Sequence, residues 1–262
     1  MKICVLLKQV PDTDNVKLDP ETGTMIREGL GSIINPLDLH ALEEALRFKK
    51  DHSAHVTVIT MGPPSAEEAL KEALAMGADR ILLATDRKFA GADSWSTSKV
   101  LSEIVRETDN FDLIFAGEKA TDGETGQVGP EVAAMLDIPF STYVSEIKKT
   151  AENKITVKRT VEDGYEYQKI PFPCLVTVLG DINQPSMPTL NGKKKARRSE
   201  VERITAEETT INPAHLGLKG SPTRVAKIST PQLMRESKKY SGSKIDEGIE
   251  ELIKKLKEMA II

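Results

Sequence analysis

Cysteine is scarce in this chain of 262 residues: there are two, Cys4 and Cys174, set in the apolar surroundings of Ile3 to Leu7 and Leu175 to Leu179. In such runs a thiol behaves as a small core hydrophobe, so neither is expected to be reactive. Two cysteines exclude a disulfide framework and make no metal-spaced pair, which fits a reducing compartment. Long apolar runs are also missing. None approaches the ~18 residues of a membrane span, and Met1-Lys2 leads into a short apolar run with no basic region or small-residue cleavage site. The expectation is a soluble, cytoplasmic protein with no membrane insertion. Charge of one sign is not in excess either: charged residues make up 29% of the chain, yet the net charge is -4. That balance predicts neither nucleic-acid binding nor an acidic tail. The one basic run, Lys193 to Arg198, lacks the interleaved aromatics of a nucleic-acid surface. The histidines His40, His52, His55 and His215 have no cysteine or carboxylate partners at ligand spacing, so no metal centre is expected.

What is present is a regular alternation. Lys2 to Val10, Val56 to Thr60, Arg80 to Ala84 and Asp112 to Ala116 are apolar runs without polar alternation, as strands buried on both faces require. Amphipathic helices fall between them. Leu39, Leu42 and Leu46 share a face from Pro36 to Lys50, behind an Asn35-Pro36 start that suits an N-cap and first helical position. A second helix runs from a Ser65 cap to Met76 and closes on Gly77, a third covers Ser94 to Glu107, and a fourth begins at Gly129-Pro130. The spacing predicts an α/β fold, a mostly parallel doubly wound sheet with right-handed crossovers. Beyond Ile138, Thr142 to Lys148, Lys154 to Val161, Tyr165 to Ile170 and Cys174 to Leu179 predict added antiparallel strands, with Asp163-Gly164 as a hairpin turn. Residues 1–180 form the expected α/β domain. Residues 181–262 read as a partner-contacting arm, irregular and basic to Arg203, proline-bearing and aperiodic to Ser229, and ending in a helix from Lys244 to Ala260.

In a parallel sheet, ligands collect at the carboxyl ends of the strands. Here those ends are Val10 to Thr13, Met61 to Pro64, Thr85 to Asp93 and Gly117 to Gly129. The last is the most informative. Gly123, Gly126 and Gly129 recur every third residue between a buried strand and a helix start. Glycines permit close backbone approach, successive amides can line one concavity, and the helix start adds free N–H groups and a positive dipole end, so a phosphate is the natural occupant. Thr121, Thr125 and Gln127 offer further hydrogen bonds. For such a loop alone a flexible surface turn is the plain alternative. No G-x-G-x-x-G follows the first strand, and there is no G-K-[ST] loop or Ser-Gly-Gly-x-Asp-Ser loop. These absences exclude the usual dinucleotide fold, P-loop NTPases and pyrophosphate-releasing adenylating enzymes, leaving adenylate binding without ATP chemistry.

Several segments together carry a family resemblance. Lys8-Gln-Val-Pro-Asp-Thr13, Asn35-Pro-Leu-Asp38, Ala73-Leu-Ala-Met-Gly-Ala-Asp79, Asp122-Gly-Glu-Thr-Gly-Gln-Val-Gly-Pro130 and Pro185-Ser-Met-Pro-Thr-Leu190 resemble electron-transferring flavoprotein beta subunits, in order and over nearly the whole chain. Val157-Lys-Arg159, Glu162-Asp-Gly164 and Pro173-Cys-Leu-Val-Thr177 resemble the family's signature region, with Gln168 where that pattern has an aliphatic residue. The resemblance implies an adenine nucleotide alpha hydrolase-like fold and pairing with an alpha subunit that carries its own FAD. It implies an adenine nucleotide here, held by Leu6, Asn35, Asp38, Met61 and the segment from Asp122 to Val132, which includes Gly123, Glu124, Thr125, Gly126, Gln127, Val128 and Gly129. Leu190 matches the family's leucine that docks the dehydrogenase.

The family has an AMP-binding respiratory branch and an electron-bifurcating branch with a second FAD. Val10-Pro-Asp-Thr13 and Phe89-Ala-Gly-Ala-Asp93 resemble the bifurcating branch, and Asp122 to Gln127 lacks the form typical of the AMP site. Gly91 and Ala92 leave room for a flat ring, while Asp12, Thr13, Asp93 and Thr97 are placed to hydrogen-bond flavin or nicotinamide edges. An ordinary turn at Pro11 to Thr13 and an N-cap cluster at Ser94 to Thr97 are the plain alternatives. The branch implies electrons taken from NADH, passed to the alpha-subunit FAD and an acyl-CoA, enoyl-CoA or hydroxy-acid dehydrogenase, and to ferredoxin or flavodoxin. No side chain is expected to act as a catalytic acid or nucleophile, because the cofactor carries the chemistry. A respiratory-type subunit with structural AMP and a stand-alone adenylate-binding signalling protein remain as alternatives.

Overall fold

The computed structural model describes residues 1–12, 17–18, 25–26, 31–151, 153–224 and 237–261. The chain runs β1 (Lys2–Leu6), β2 (Gln9–Pro11), β3 (Lys17–Leu18), β4 (Met25–Ile26), β5 (Ser32–Ile34), α1 (Pro36–His52), β6 (His55–Met61), α2 (Glu67–Met76), β7 (Arg80–Ala84), α3 (Ser94–Thr108), β8 (Leu113–Gly117), α4 (Val128–Leu136), β9 (Phe140–Ala151), β10 (Lys154–Val161), β11 (Gly164–Pro171), β12 (Cys174–Val178), α5 (Leu190–Arg198), β13 (Glu202–Ile204), α6 (Gly217–Gly220) and α7 (Ile245–Glu258). The main sheet has the order β11-β10-β9-β12-β8-β1-β6-β7-β13. It is parallel from β9 through β13 and antiparallel across β9, β10 and β11.

Alternation along the buried strands feeds two cores. Ile3 and Val5 join α1, α2 and α5 on one face, through Leu42, Leu70 and Ala196. Cys4 and Leu6 join α3 and α4 on the other, through Ile104 and Val132. Full burial of one such aliphatic side chain is worth roughly 1.5–3 kcal/mol, and helices on both faces are what a parallel sheet requires. Burial raises both thiols, that of Cys174 to about 12. No helix among the described residues is long and apolar enough to cross a membrane.

Several sequence expectations need correction. The run from Lys2 to Val10 is two strands, because after Leu6 the chain turns away and β2 pairs antiparallel with β5. Cys174 to Leu179 is not antiparallel: β12 lies parallel between β8 and β9. Ser65 does not cap α2. A short 3-10 turn, Pro64–Ala66, precedes that helix, and the Ser65 hydroxyl lies 3.4 Å from Gln9 Oε1. The basic stretch expected to be irregular contains α5, capped by the Thr189 hydroxyl, which accepts from Gly192 N at 3.0 Å. Its polar sequence carries no apolar stripe. Instead it rests on α2 so closely that a Cβ at Gly192 would lie 2.0 Å from Ala75 O. With α5 on one face and β13 at the edge of the sheet, one compact unit runs from Met1 to Val225. In the second unit, Ala226–Ile262, α7 is amphipathic, and its Glu251 accepts from Lys238 and Tyr240.

Strand order sets where a ligand belongs. From β1 the chain steps outward through β6 to β7, then returns to β8 on the other flank of β1. The switch point is therefore between β1 and β8, at their carboxyl ends.

Candidate functional site

The first turn of α1 fills the mouth of this switch point. Asn35 precedes the proline-led helix but does not cap it. Its side chain reaches the glycine-rich loop instead, with Oδ1 accepting from Thr121 N at 3.1 Å and Nδ2 donating to Lys119 O at 2.9 Å. One helical turn on, the buried Asp38 carboxylate accepts from Lys8 N at 2.7 Å and from Gly117 N at 3.0 Å. Burial pushes this carboxyl up to about 7, against the lowering effects of those amides, Asn35 and the Lys8 ammonium. Lys8 in turn reaches Asp122 in the loop, at 2.7 Å.

The loop from Gly117 to Val128 is thus tied down at its start and open beyond. Thr121 to Thr125 are exposed, and the turn is made by positive φ at Glu124 (52°) and Gly126 (62°). Glu124 N donates to Ala120 O, and Glu131 N to Gln127 O. Among the described residues, the amides of Gly123, Thr125, Gly126, Gln127, Val128 and Gly129 meet no protein acceptor. From Thr125 to Gly129 these are consecutive free donors leading into α4, the arrangement that suits an anion.

A second feature adjoins the loop. Ser94 Oγ, in the first turn of α3, has two acceptors within reach of its one O–H, Gln127 Oε1 at 3.1 Å and Glu131 Oε1 at 3.3 Å. Just before it, Gly91, Ala92 and Asp93 face Leu218, Thr223 and Arg224 across a cleft of about 540 Å³. The far wall comes from the region after residue 180 and is stapled on. Leu218 N donates to Ala90 O at 3.0 Å. Asp93 N donates to Ser221 Oγ at 2.9 Å, and the Asp93 carboxylate accepts from Ser96 N, Thr223 N and Thr223 Oγ1. Although burial raises the Asp93 carboxyl, these hydrogen bonds together hold it below the usual range.

The sequence-derived site residues therefore fall into different positions. Asn35, Asp38, Asp122, Gly123, Glu124, Thr125, Gly126, Gln127, Val128 and Gly129 come together around the switch point, and Gly91, Ala92, Asp93 and Thr97 gather beside it. Leu6 and Val132 lie underneath, with Val132 wholly buried in the second core. Met61, half-buried at the end of β6, packs against the same core. Asp12 follows β2 and its N–H donates to Gly31 O at 2.8 Å. Thr13 lies outside the described residues. Leu190 stands apart at the start of α5, 81% exposed. The residues that sequence reasoning did not single out are Ser221, Thr223 and Arg224; nothing local marks them, since they sit about 130 positions from the loop they face.

The model of a family described as "Electron transfer flavoprotein domain" matches residues 22–209. An electron transfer flavoprotein subunit beta of Thermoanaerobacterium thermosaccharolyticum is 46% identical over 263 residues, covering 100% of both chains. One from Clostridium acetobutylicum is 46% identical over 262 residues and 98% of each chain. The caffeyl-CoA reductase-Etf complex subunit CarD of Acetobacterium woodii is 43% identical over 263 residues and 100% of both.

Proposed function

The chain belongs to the electron transfer flavoprotein family, matching its beta subunits from end to end, and from that premise we propose that its switch-point crevice holds FAD and takes electrons from NADH. Beta subunits of this family pair with an alpha subunit and feed dehydrogenases. The observation that carries FAD over AMP is the cleft at Gly91, Ala92 and Asp93 next to the loop of free amides. A phosphate cradle alone serves either nucleotide, whereas a neighbouring cleft with Gly91 and Ala92 on one wall has room for a flat ring.

In this reading the amides of Gly123 and Gly126 in the loop, and of Gln127 and Val128 at the start of α4, bind the phosphates. Asn35 shapes the loop from the α1 side, and Gly91 and Ala92 leave space for the ring. When bound, FAD would supply the redox chemistry, accepting a hydride and releasing electrons singly. The chain's own part is orientation and electrostatics, and Asp93 and Thr97 lie on the segment that borders the ring's place. Electrons pass to the alpha-subunit FAD and to a dehydrogenase docked at Leu190, and in a bifurcating scheme also to ferredoxin or flavodoxin. The Acetobacterium woodii relative, named for a complex with caffeyl-CoA reductase, supports a partner that acts on a CoA thioester.

Nucleotide analysis of the purified heterodimer tests the reading. Two FAD per heterodimer and bleaching of both by NADH are expected; one FAD with one AMP would overturn it in favour of a structural nucleotide.

A further inference from the structure

We propose that Asp38 is a positioning residue that never touches the nucleotide: its carboxylate clamps the carboxyl ends of β1 and β8 to each other and so fixes the ledge on which the glycine-rich loop is built. The proposal rests on reading the crevice as a nucleotide site and goes beyond it in assigning Asp38 this indirect role.

Three observations carry it. The hydrogen-bonded register between β1 and β8 ends at Leu6 and Ala116, where parallel strands at a switch point part. Asp38 takes over there, accepting from Lys8 N at 2.7 Å and Gly117 N at 3.0 Å. Both of its oxygens are thus engaged inside the protein, and the residue is 6% exposed, which leaves little for a ligand to meet. Gly117 is shaped to the clamp, because a Cβ there would lie 2.5 Å from Asp38 Oδ1 and 2.8 Å from Leu37.

The chemistry of the clamp is that of an acceptor for two donors. A carboxylate serves two N–H groups at once, while a carboxylic acid turns an O–H toward one of them and loses an arm. With the carboxyl near neutrality in its own right, at about 7, the clamp is closed above that pH and half-open below it. The surrounding charges are the Lys8 ammonium from the end of β1, Asp122 paired to it, and Lys119 from the loop, itself 3.7 Å from Glu124. Glu118 follows Gly117 directly, and on α1 His40 turns to Asn183 at 3.1 Å.

The test uses the heterodimer with the alpha-subunit FAD retained and this chain's crevice emptied, titrated with FAD and, separately, with AMP at pH 6 and pH 8, as wild type, Asp38→Asn and Gly117→Ala. Wild type is expected to bind several-fold more tightly at pH 8. Asp38→Asn offers one acceptor and points an amide NH₂ at the second N–H, so it should bind about tenfold more weakly at pH 8 and lose the pH dependence. Gly117→Ala should weaken binding and keep it. A wild-type pH slope in Asp38→Asn overturns the clamp, and so does wild-type affinity in Gly117→Ala, which decides the matter if Asp38→Asn does not fold. If AMP binds with this slope and FAD does not bind, the clamp stands and the FAD reading fails. A wild type that binds neither nucleotide removes the crevice reading and the clamp together.

Discussion

Glu43, buried on α1, accepts from both the backbone N–H of Ser186, at 2.9 Å, and its hydroxyl, at 3.2 Å. Beside it Asn183 Nδ2 donates to Glu44 Oε2 at 3.0 Å and to His40 O at 2.9 Å. The loop so fastened carries Met187 and leads to Leu190 at the start of α5, 84% and 81% exposed. The helix that shapes the nucleotide crevice with its first turn therefore also holds the segment matched to the family's docking leucine.

Releasing that loop should uncouple delivery from binding. Removing a charged acceptor of two hydrogen bonds costs about 1.5–3 kcal/mol, so Glu43→Ala is expected to lower stability by that amount while leaving the bound nucleotide in place. Steady-state assays with a purified flavin-containing acyl-CoA dehydrogenase as acceptor should show a raised KM for the dehydrogenase, with bound flavin per heterodimer unchanged. Loss of flavin instead would place the effect in the crevice.

Leu190→Ala separates the surface from its support. The side chain buries little, so unfolding free energy should stay within about 0.5 kcal/mol of wild type. Electron delivery to the same dehydrogenase should fall about tenfold or more, since an apolar anchor entering a pocket carries a disproportionate share of binding energy. Unchanged delivery would show that Leu190 does not dock.

Asp93 ties α3 to the chain segment at Thr223, and its carboxyl is held below the ordinary value of 3.8 by those hydrogen bonds. A group with a lowered folded-state pKa stabilises the fold above its unfolded pKa and loses that contribution as pH falls through the folded value. Asp93→Ala should therefore cost about 1–2 kcal/mol at pH 7, the usual worth of an N-cap. The difference from wild type should shrink in chemical denaturation below pH ~4. A difference that persists at lower pH would mean that the side chain's packing, and not its charge, is what matters.

How much of this was legible in the sequence follows from the range of the interactions. β1, β6, β7 and β8 announce themselves because each is a short apolar run, and Gly123 to Gly129 because glycine at a strand-to-helix junction is a local signal. Asn35 takes the N-cap position that the local sequence suggests, but its side chain does not cap: the amide is drawn to Thr121 and Lys119, more than 80 positions away. α5 was invisible because a helix of Lys, Arg and Gly with one buried alanine has no stripe, and it is held by the close approach of Gly192 to Ala75. The direction of β12 is not legible, since an apolar pentapeptide reads alike in parallel and antiparallel sheets: the expected antiparallel strand lies parallel between β8 and β9. The Asp93 staple to Thr223 is beyond any local pattern.

Gly129 offers a last test, because it separates the glycines that shape the loop from those that pack beneath it. A Cβ at Gly129 would lie 2.5 Å from Thr177 Cγ2 and 3.5 Å from Leu175 Cδ2, both on the buried strand β12, whereas at Gly123 there is nothing within 4 Å and φ is not positive. Gly129→Ala must push the first turn of α4 off the sheet, an overpacking cost of about 1–3 kcal/mol, and with it the free amides of Gln127 and Val128. It should unfold at lower denaturant and retain less nucleotide. Gly123→Ala should unfold at about the wild-type denaturant concentration, so any loss of nucleotide it shows reports ligand approach to the loop alone. Equal destabilisation of the two variants would contradict the close packing of α4 on β12.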